Sequence, residues 1–258
     1  MNSLEEARAI IDECDKKIVE MFELRMQAVL DVLKYKREHK LPVFQPEREQ
    51  YIFKKVNSYL RNAKFSDELE SLYSEILGIS KRLQSKHLFP FNLIFIGFMG
   101  GGKTSVGKKL STLLEMNFID IDDIVVRDSG MSINNIFDSY GEGRFRNLET
   151  MAIQSIKGKK NTIISCGGGV VLNSKNVDLL KDMGKIIWLK VSPKIAYSRL
   201  LADDGRPLLK DSFSLETINE ILSSRLPLYE NASDIIINTD EKNVDQIACE
   251  VIEKLLDQ

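Results

Sequence analysis

Glycine is almost missing from the first third of the chain. Of 15 glycines in 258 residues, only Gly78 precedes residue 97, and the other 14 follow. Tight turns and bare-backbone loops call for glycine, so one architecture repeated along the whole length is excluded and two modules are implied. Cysteine is scarce too. Cys14, Cys166 and Cys249 are odd in number, far apart and without C-x-x-C pairing. That argues against a disulfide framework or a zinc site and fits a reducing, cytoplasmic location. The longest apolar run, around residues 93–99, falls short of the ~20 residues that span a bilayer. The opening MNSLEEARAI has no basic stretch leading into an apolar one, so neither a signal peptide nor a membrane partner is expected. Charge of one sign is also lacking: 36 Lys and Arg against 38 Asp and Glu give a net charge of −2. A nucleic-acid partner would call for a basic excess, so none is expected. Hydrophobic residues make up 43%, enough to bury a core.

What is present begins with helix periodicity. Leu4, Ala7, Ile11, Cys14, Ile18, Met21, Ala28, Val32 and Tyr35 follow one seam, interrupted by a single charge at Arg25. With no proline before Pro42, one helix over 3–39 is predicted, ~55 Å long at 1.5 Å per residue. A small domain cannot cover that length, so further helices and a second copy of the chain are expected to bury the seam. A second helix is read over 47–61. A third, with Ser66 as N-cap and acidic residues in its first turn, ends near Lys86.

A guanidinium at a seam position is costly to bury alone, so Arg25 calls for either an internal salt bridge or a ligand. Lys36, 11 residues on, returns to within about 20° of it around the helix. Arg8, 17 residues back, points elsewhere and can join the same pocket only from another chain. Arg48 and Glu49 open the second helix, and Ser80 and Gln84 lie one turn apart on the third. Such a polar, cationic pocket in an apolar bundle suits a small dianion.

Beyond a short linker at 86–91 the pattern alternates strands and helices, implying a parallel sheet covered on both faces. Strands are predicted at 92–96, 118–121, 162–165, 185–191 and 234–238. Residues 97–104, GFMGGGKT, match G-x-x-x-x-G-K-[ST] between a strand and a helix, the context in which the pattern cradles phosphate. Gly100, Gly101 and Gly102 would expose backbone N–H groups, Lys103 would reach the terminal phosphates, and Thr104 would ligate Mg²⁺. ATP and Mg²⁺ are the expected cofactors.

Other residues allow two readings each. Asp120 and Asp122 at a strand end suit metal and proton transfer, or a helix cap. Arg146 and Glu149, at i and i+3, form either a positioned guanidinium or a surface pair. Gly167–Gly169 mark a tight turn or a close ligand approach. Asp203–Pro207 reads as a lid loop, and Arg225 precedes the helix break at Pro227.

Taken together, residues 92–258 resemble shikimate kinase. The resemblance implies that Arg146 and Arg225 hold the shikimate carboxylate, with Glu149 orienting Arg146. It implies that Asp122 binds the ring hydroxyls and activates one of them, and that Gly168 and Gly169 line the pocket. Lys103 and Arg206 would stabilise the transferred phosphoryl group. Asp120 and Thr104 would serve the metal, and Ser105 and Arg199 the nucleotide, with Arg199 stacked near the adenine. Residues 1–88 resemble the all-helical class of chorismate mutase through Arg8, Arg25, Lys36, Arg48, Glu49, Ser80 and Gln84, with Asp15 also in register. That resemblance implies a three-helix fold, an intertwined homodimer, Arg8 of one chain completing the other's site, and chorismate as substrate. Lys36 and Gln84 would meet the ether oxygen, Arg25 and Arg8 the carboxylates with Arg48 and Ser80, and Glu49 the ring hydroxyl. Gln45 departs from the aspartate often found there. The expected protein is therefore a multidomain, bifunctional enzyme with an all-α module and an α/β phosphate-loop module. The alternative is a kinase carrying a non-catalytic helical module that senses chorismate or prephenate.

Overall fold

A computed structural model describes residues 3–39, 41, 46–201 and 214–257. The chain divides into two compact units, residues 1–87 and 88–258. Gln45 and the lid segment with Arg206, Pro207, Leu208 and Leu209 lie outside the described residues.

In the helical unit, α1 runs Leu4–Glu38 without a break, close to the predicted span. The Ser3 hydroxyl accepts from the Glu6 N–H, Glu5 and Glu6 lie in the first turn, and Lys36 and Arg37 in the last, complementing the helix dipole at both ends. α2 spans Pro46–Asn57, four residues short of the predicted end. The Tyr59 and Leu60 N–H groups bond three residues back, to Val56 and Asn57, which turns the chain out of the helix. α3 spans Ser66–Leu88. Ser66 is not its cap. The residue already has helical angles, and the Asn62 side chain caps the preceding 3-10 turn at Ala63–Phe65 instead.

Leu33, Val56 and Leu77 are buried in this unit, but Leu4, Ile11, Ile18 and Met21 along the α1 seam are all more than half exposed. One copy of the helical unit does not cover its own longest helix.

The second unit is built on five parallel strands in the order β2-β3-β1-β4-β5. These are β1 (Asn92–Ile96), β2 (Asn117–Asp120), β3 (Thr162–Ser165), β4 (Gly184–Lys190) and β5 (Ile235–Asn238). Helices α4 (Lys103–Leu114), α5 (Ile121–Ser129), α6 (Ile133–Ser155), α7 (Ser174–Met183), α8 (Pro193–Leu200), α9 (Leu215–Ala232) and α10 (Val244–Leu256) connect and cover them. β1 and β3 are buried along their whole length, as parallel strands covered on both faces must be. Register aligns Phe95 with Ser165 and Ser165 with Asp120, so β1, β3 and β2 end in one row. Three loops therefore leave that edge side by side, at the carboxyl ends where open α/β sheets bind ligands.

Of the two readings of the Asp120 and Asp122 pair, the helix cap holds at Asp120. Asp120 ends β2, and its carboxylate accepts the Asp122 N–H at 3.1 Å as the cap of α5, so Asp122 lies in that helix's first turn. Capping thus decides Asp122's direction.

Candidate functional sites

At the carboxyl edge of the sheet, the loop after β1 turns through residues that only glycine accommodates well. Gly97, Gly100 and Gly102 have φ of 140°, 75° and 86°. A Cβ on Gly97 would lie 2.5 Å from the Leu189 carbonyl oxygen. Lys103 Nζ donates to the carbonyls of Gly97 and Phe98, at 2.9 and 3.0 Å, arching over the loop. A cavity of about 270 Å³ opens here, lined by Gly100, Gly102, Lys103, Thr104, Ser105, Asp120, Asp122, Gly167, Gly168 and Arg199 among others. Thr104 Oγ1 donates to Asp120 Oδ2 at 2.9 Å and lies 3.4 Å from Ser165 Oγ. Two hydroxyls and a carboxylate in one cluster are the hard oxygen donors that suit Mg²⁺ carried by a nucleotide. Arg199 Nη1 donates to the Gly100 carbonyl at 3.0 Å and Nη2 to the Thr239 carbonyl at 2.9 Å, fastening the phosphate loop to the chain after β5.

Next to this cavity lies an arginine clasp. Gly141 breaks α6 with φ 75° and ψ 173°, so the helix restarts at Glu142. From there Glu142 Oε1 accepts from Arg146 Nε and Nη2 at 3.1 and 2.8 Å, and Glu149 Oε2 accepts from Nη1 at 3.0 Å. These bonds leave one N–H on each terminal nitrogen for a ligand. Gly169 packs on the guanidinium so closely that a Cβ there would collide with it. Gly167 lies against both Glu149 and Asp122, where a Cβ would sit 2.9 and 3.0 Å from their oxygens. Arg225 is 7% exposed, and its Nη1 is 3.4 Å from the Gly168 carbonyl, which also accepts from Tyr229 Oη at 2.5 Å. Tyr229 is fully buried and stacked on Trp188. Burial pushes its hydroxyl up to about 12 against the opposing pull of Arg225, so it remains a donor.

Sequence reasoning missed Glu142, Ser165 and Tyr229. Glu142 and Tyr229 each stand four residues from an arginine of the site, a helical spacing that was available as a signal. Ser165 gave none.

Glu149 is wholly buried. Burial pushes its carboxyl up to about 7, Asp122 and Glu142 add to the rise, and Arg146 opposes it. The folded state thus binds this proton more tightly than the unfolded chain, whose carboxyl titrates near 4.5. Its contribution to stability is full below that value and lost as pH rises through about 7, on the order of 3 kcal/mol. Only the ionised form pairs with Arg146. For a carboxylate-bearing ligand held by Arg146, kcat/KM is expected to rise with pH to a plateau above about 7. Glu149→Gln should abolish that rise, as a pH profile of both proteins would record; an unchanged limb would assign it to another group.

The helical unit holds a second cavity, of about 260 Å³, between its three helices. Arg25 and Lys36 reach it from α1, Arg48 and Glu49 from α2, and Ser80, Lys81 and Gln84 from α3, over a floor including Val29, Val32, Ile52 and Leu77. Six of the residues singled out in the sequence are brought together here. Arg8 and Asp15 are not among the lining. Arg25 Nη1 donates to Ser80 Oγ at 2.6 Å, and that hydroxyl donates to the Ile76 carbonyl at 2.7 Å. Burial lowers the pKa of Arg25, partly offset by Tyr73. Lys36 is also lowered, by burial and then by the charge of Arg48. The cavity therefore holds cations that resist their own charge, a field that a dianion would relieve.

Among the described residues no helix is long and apolar enough to cross a membrane, and no group of three or more His, Cys, Asp or Glu is placed to hold a metal.

Comparison with known proteins places both units. The shikimate kinase family model matches residues 99–256, and the chorismate mutase type II model matches residues 7–85. The shikimate kinase of Thermodesulfovibrio yellowstonii is 41% identical over 163 residues, 63% of this chain and 94% of that protein. That of Caldicellulosiruptor bescii is 44% identical over 149 residues, covering 58% and 86%. Among solved structures, the shikimate kinase of Acinetobacter baumannii in complex with shikimate superposes with a TM-score of 0.64 at 30% identity, over 67% of this chain and 97% of that one. That of Aquifex aeolicus gives 0.56 at 32% identity, over 64% and 95%. The alternative of a non-catalytic sensing module is not favoured, since the helical unit matches a mutase family. The chain belongs to the shikimate kinase family and carries a chorismate mutase type II domain ahead of the kinase, a phosphotransferase and an isomerase in one polypeptide.

Proposed function

We propose that residues 92–258 phosphorylate shikimate through the carboxyl-edge cavity, and that residues 1–88 rearrange chorismate to prephenate in the helical cavity of a homodimer in the cytoplasm. In the kinase site Arg146 and Arg225 clamp the shikimate carboxylate, Gly168 and Gly169 lie beneath it, and Asp122 accepts the proton of the attacking hydroxyl. Thr104 and Asp120 would hold Mg²⁺, which would neutralise phosphate charge when bound. Lys103 stabilises charge on the transferred group, with Arg206 from the lid. Ser105 and the loop Gly100–Gly102 hold the phosphates, and Arg199 the adenine side.

In the helical cavity no proton transfer or covalent step is needed. Catalysis consists of holding the reactive conformer and stabilising charge on the ether oxygen through Lys36 and Gln84. Arg25 binds one carboxylate with Ser80 and Arg48, and Glu49 the ring hydroxyl.

One observation supports the dimer above others: six cavity residues come from one chain while Arg8 does not reach them, and the α1 seam beside Arg8 is exposed. A second copy laid along α1 buries that seam and delivers its own Arg8. Arg8→Ala and Arg25→Met, each inactive on chorismate alone, should complement when unfolded and refolded together. Half of the dimers are then mixed and hold one intact site of two, restoring about a quarter of wild-type turnover. No recovery in a mixture shown to contain mixed dimers would place Arg8 outside the site.

A further inference from the structure

Position 81 breaks the pattern of its surroundings. Leu77, Ser80 and Gln84 share its face of α3 and line the same cavity, whose floor is aliphatic. A lysine stem there covers apolar surface, but its ammonium is turned inward. Lys81 Nζ pairs with Glu49 Oε2 at 2.9 Å, with the two side chains only 25% and 33% exposed. Among the described residues Glu49 is the one carboxylate in the cavity lining. A carboxylate beside a bound dianion is repulsive in a half-buried site, where charges are less screened than in water. With Lys81 counted beside Arg25, Lys36 and Arg48, the described lining residues carry a surplus of three positive charges from one chain.

We infer that Lys81 is a positioning residue of the mutase site, one that pairs with Glu49 and offsets its charge at the cavity wall so that a dianion can bind next to it. The inference rests on the mutase reading of this cavity. A merely structural bridge between α2 and α3 would give a different result in a mutant cycle, because its loss would act on stability and not on the sign of the charge that the substrate meets.

The test uses the full chain as wild type, Lys81→Met, Lys81→Arg, Glu49→Gln and the Lys81→Met/Glu49→Gln double variant, with chorismate consumption followed over a range of chorismate concentrations. At neutral pH, Lys81→Met is expected to raise the KM for chorismate about tenfold or more, with kcat changed less than about threefold. In the Glu49→Gln background the same substitution should change KM by less than about twofold, and Lys81→Arg should stay within about threefold of wild type. Shikimate phosphorylation by the same preparations serves as the check on folding. Equal KM effects in both backgrounds, or none in either, would overturn the inference. If the wild type consumes no chorismate, the same cycle is read as chorismate Kd by calorimetry. Neither turnover nor binding in the wild type would remove the mutase reading, and the inference with it.

Discussion

Replacing Lys103 by alanine is expected to lower kcat for shikimate phosphorylation by about 10²–10³-fold, the usual scale for deleting one preorganised charge from the transition state. The KM for shikimate should move less than about threefold, because Lys103 lies on the phosphate loop and the acceptor's carboxylate is assigned to Arg146 and Arg225. Its ammonium rests on the Gly97 and Phe98 carbonyls, 2.9 and 3.0 Å away. An alanine there strips the loop of its charge and of the brace that shapes it. Chorismate turnover should be unchanged, since Lys103 belongs to the other compact unit. Separate coupled assays of ADP release and chorismate absorbance on one preparation would check all three statements.

The second large effect is expected at Arg25. Arg25→Met should reduce kcat/KM for chorismate by roughly 10²-fold or more, as when one member of a buried charged pair with a ligand is deleted. Stability should not follow. Arg25 is a half-buried guanidinium whose charge is disfavoured by burial, and methionine of similar length packs against Val29 and Val32 without that cost. The variant's thermal midpoint is expected at or above that of the wild type while its mutase activity is lost. A variant that loses both would mark Arg25 as a structural residue. Kinase activity measured alongside separates these outcomes from general misfolding.

How much of this was legible in the sequence depends on how local each signal is. The phosphate loop was legible because its chemistry is contiguous: the glycines that permit positive φ, the lysine and the threonine occupy one turn. Arg25 was legible for the opposite reason, as a charge where a seam residue should be apolar. Lys36, Arg48, Glu49, Ser80 and Gln84 could be proposed as a set, but only the packing of three helices brings them to one cavity. Lys81 escaped notice because a lysine on a helix is ordinary until a carboxylate from another helix is seen 2.9 Å away. Asp120 and Asp122 were legible as a pair at a strand end, but the sequence left open that Asp120 caps the helix in which Asp122 lies. Ser66 failed as a cap, since Asn62 caps an earlier turn that no periodicity announced. Glu149 was noticed as an i+3 partner, but its complete burial, and hence its raised carboxyl, comes from the sheet edge and Gly167 closing over it.

The two active sites proposed for this chain work independently of each other. The most direct test is the rate at which the full-length Lys103→Ala protein consumes chorismate. Wild-type consumption by a protein that no longer phosphorylates shikimate is the expected result. A rate no greater than that of chorismate in buffer, for this variant and the wild type alike, would contradict the claim and leave the helical unit without the isomerase activity assigned to it.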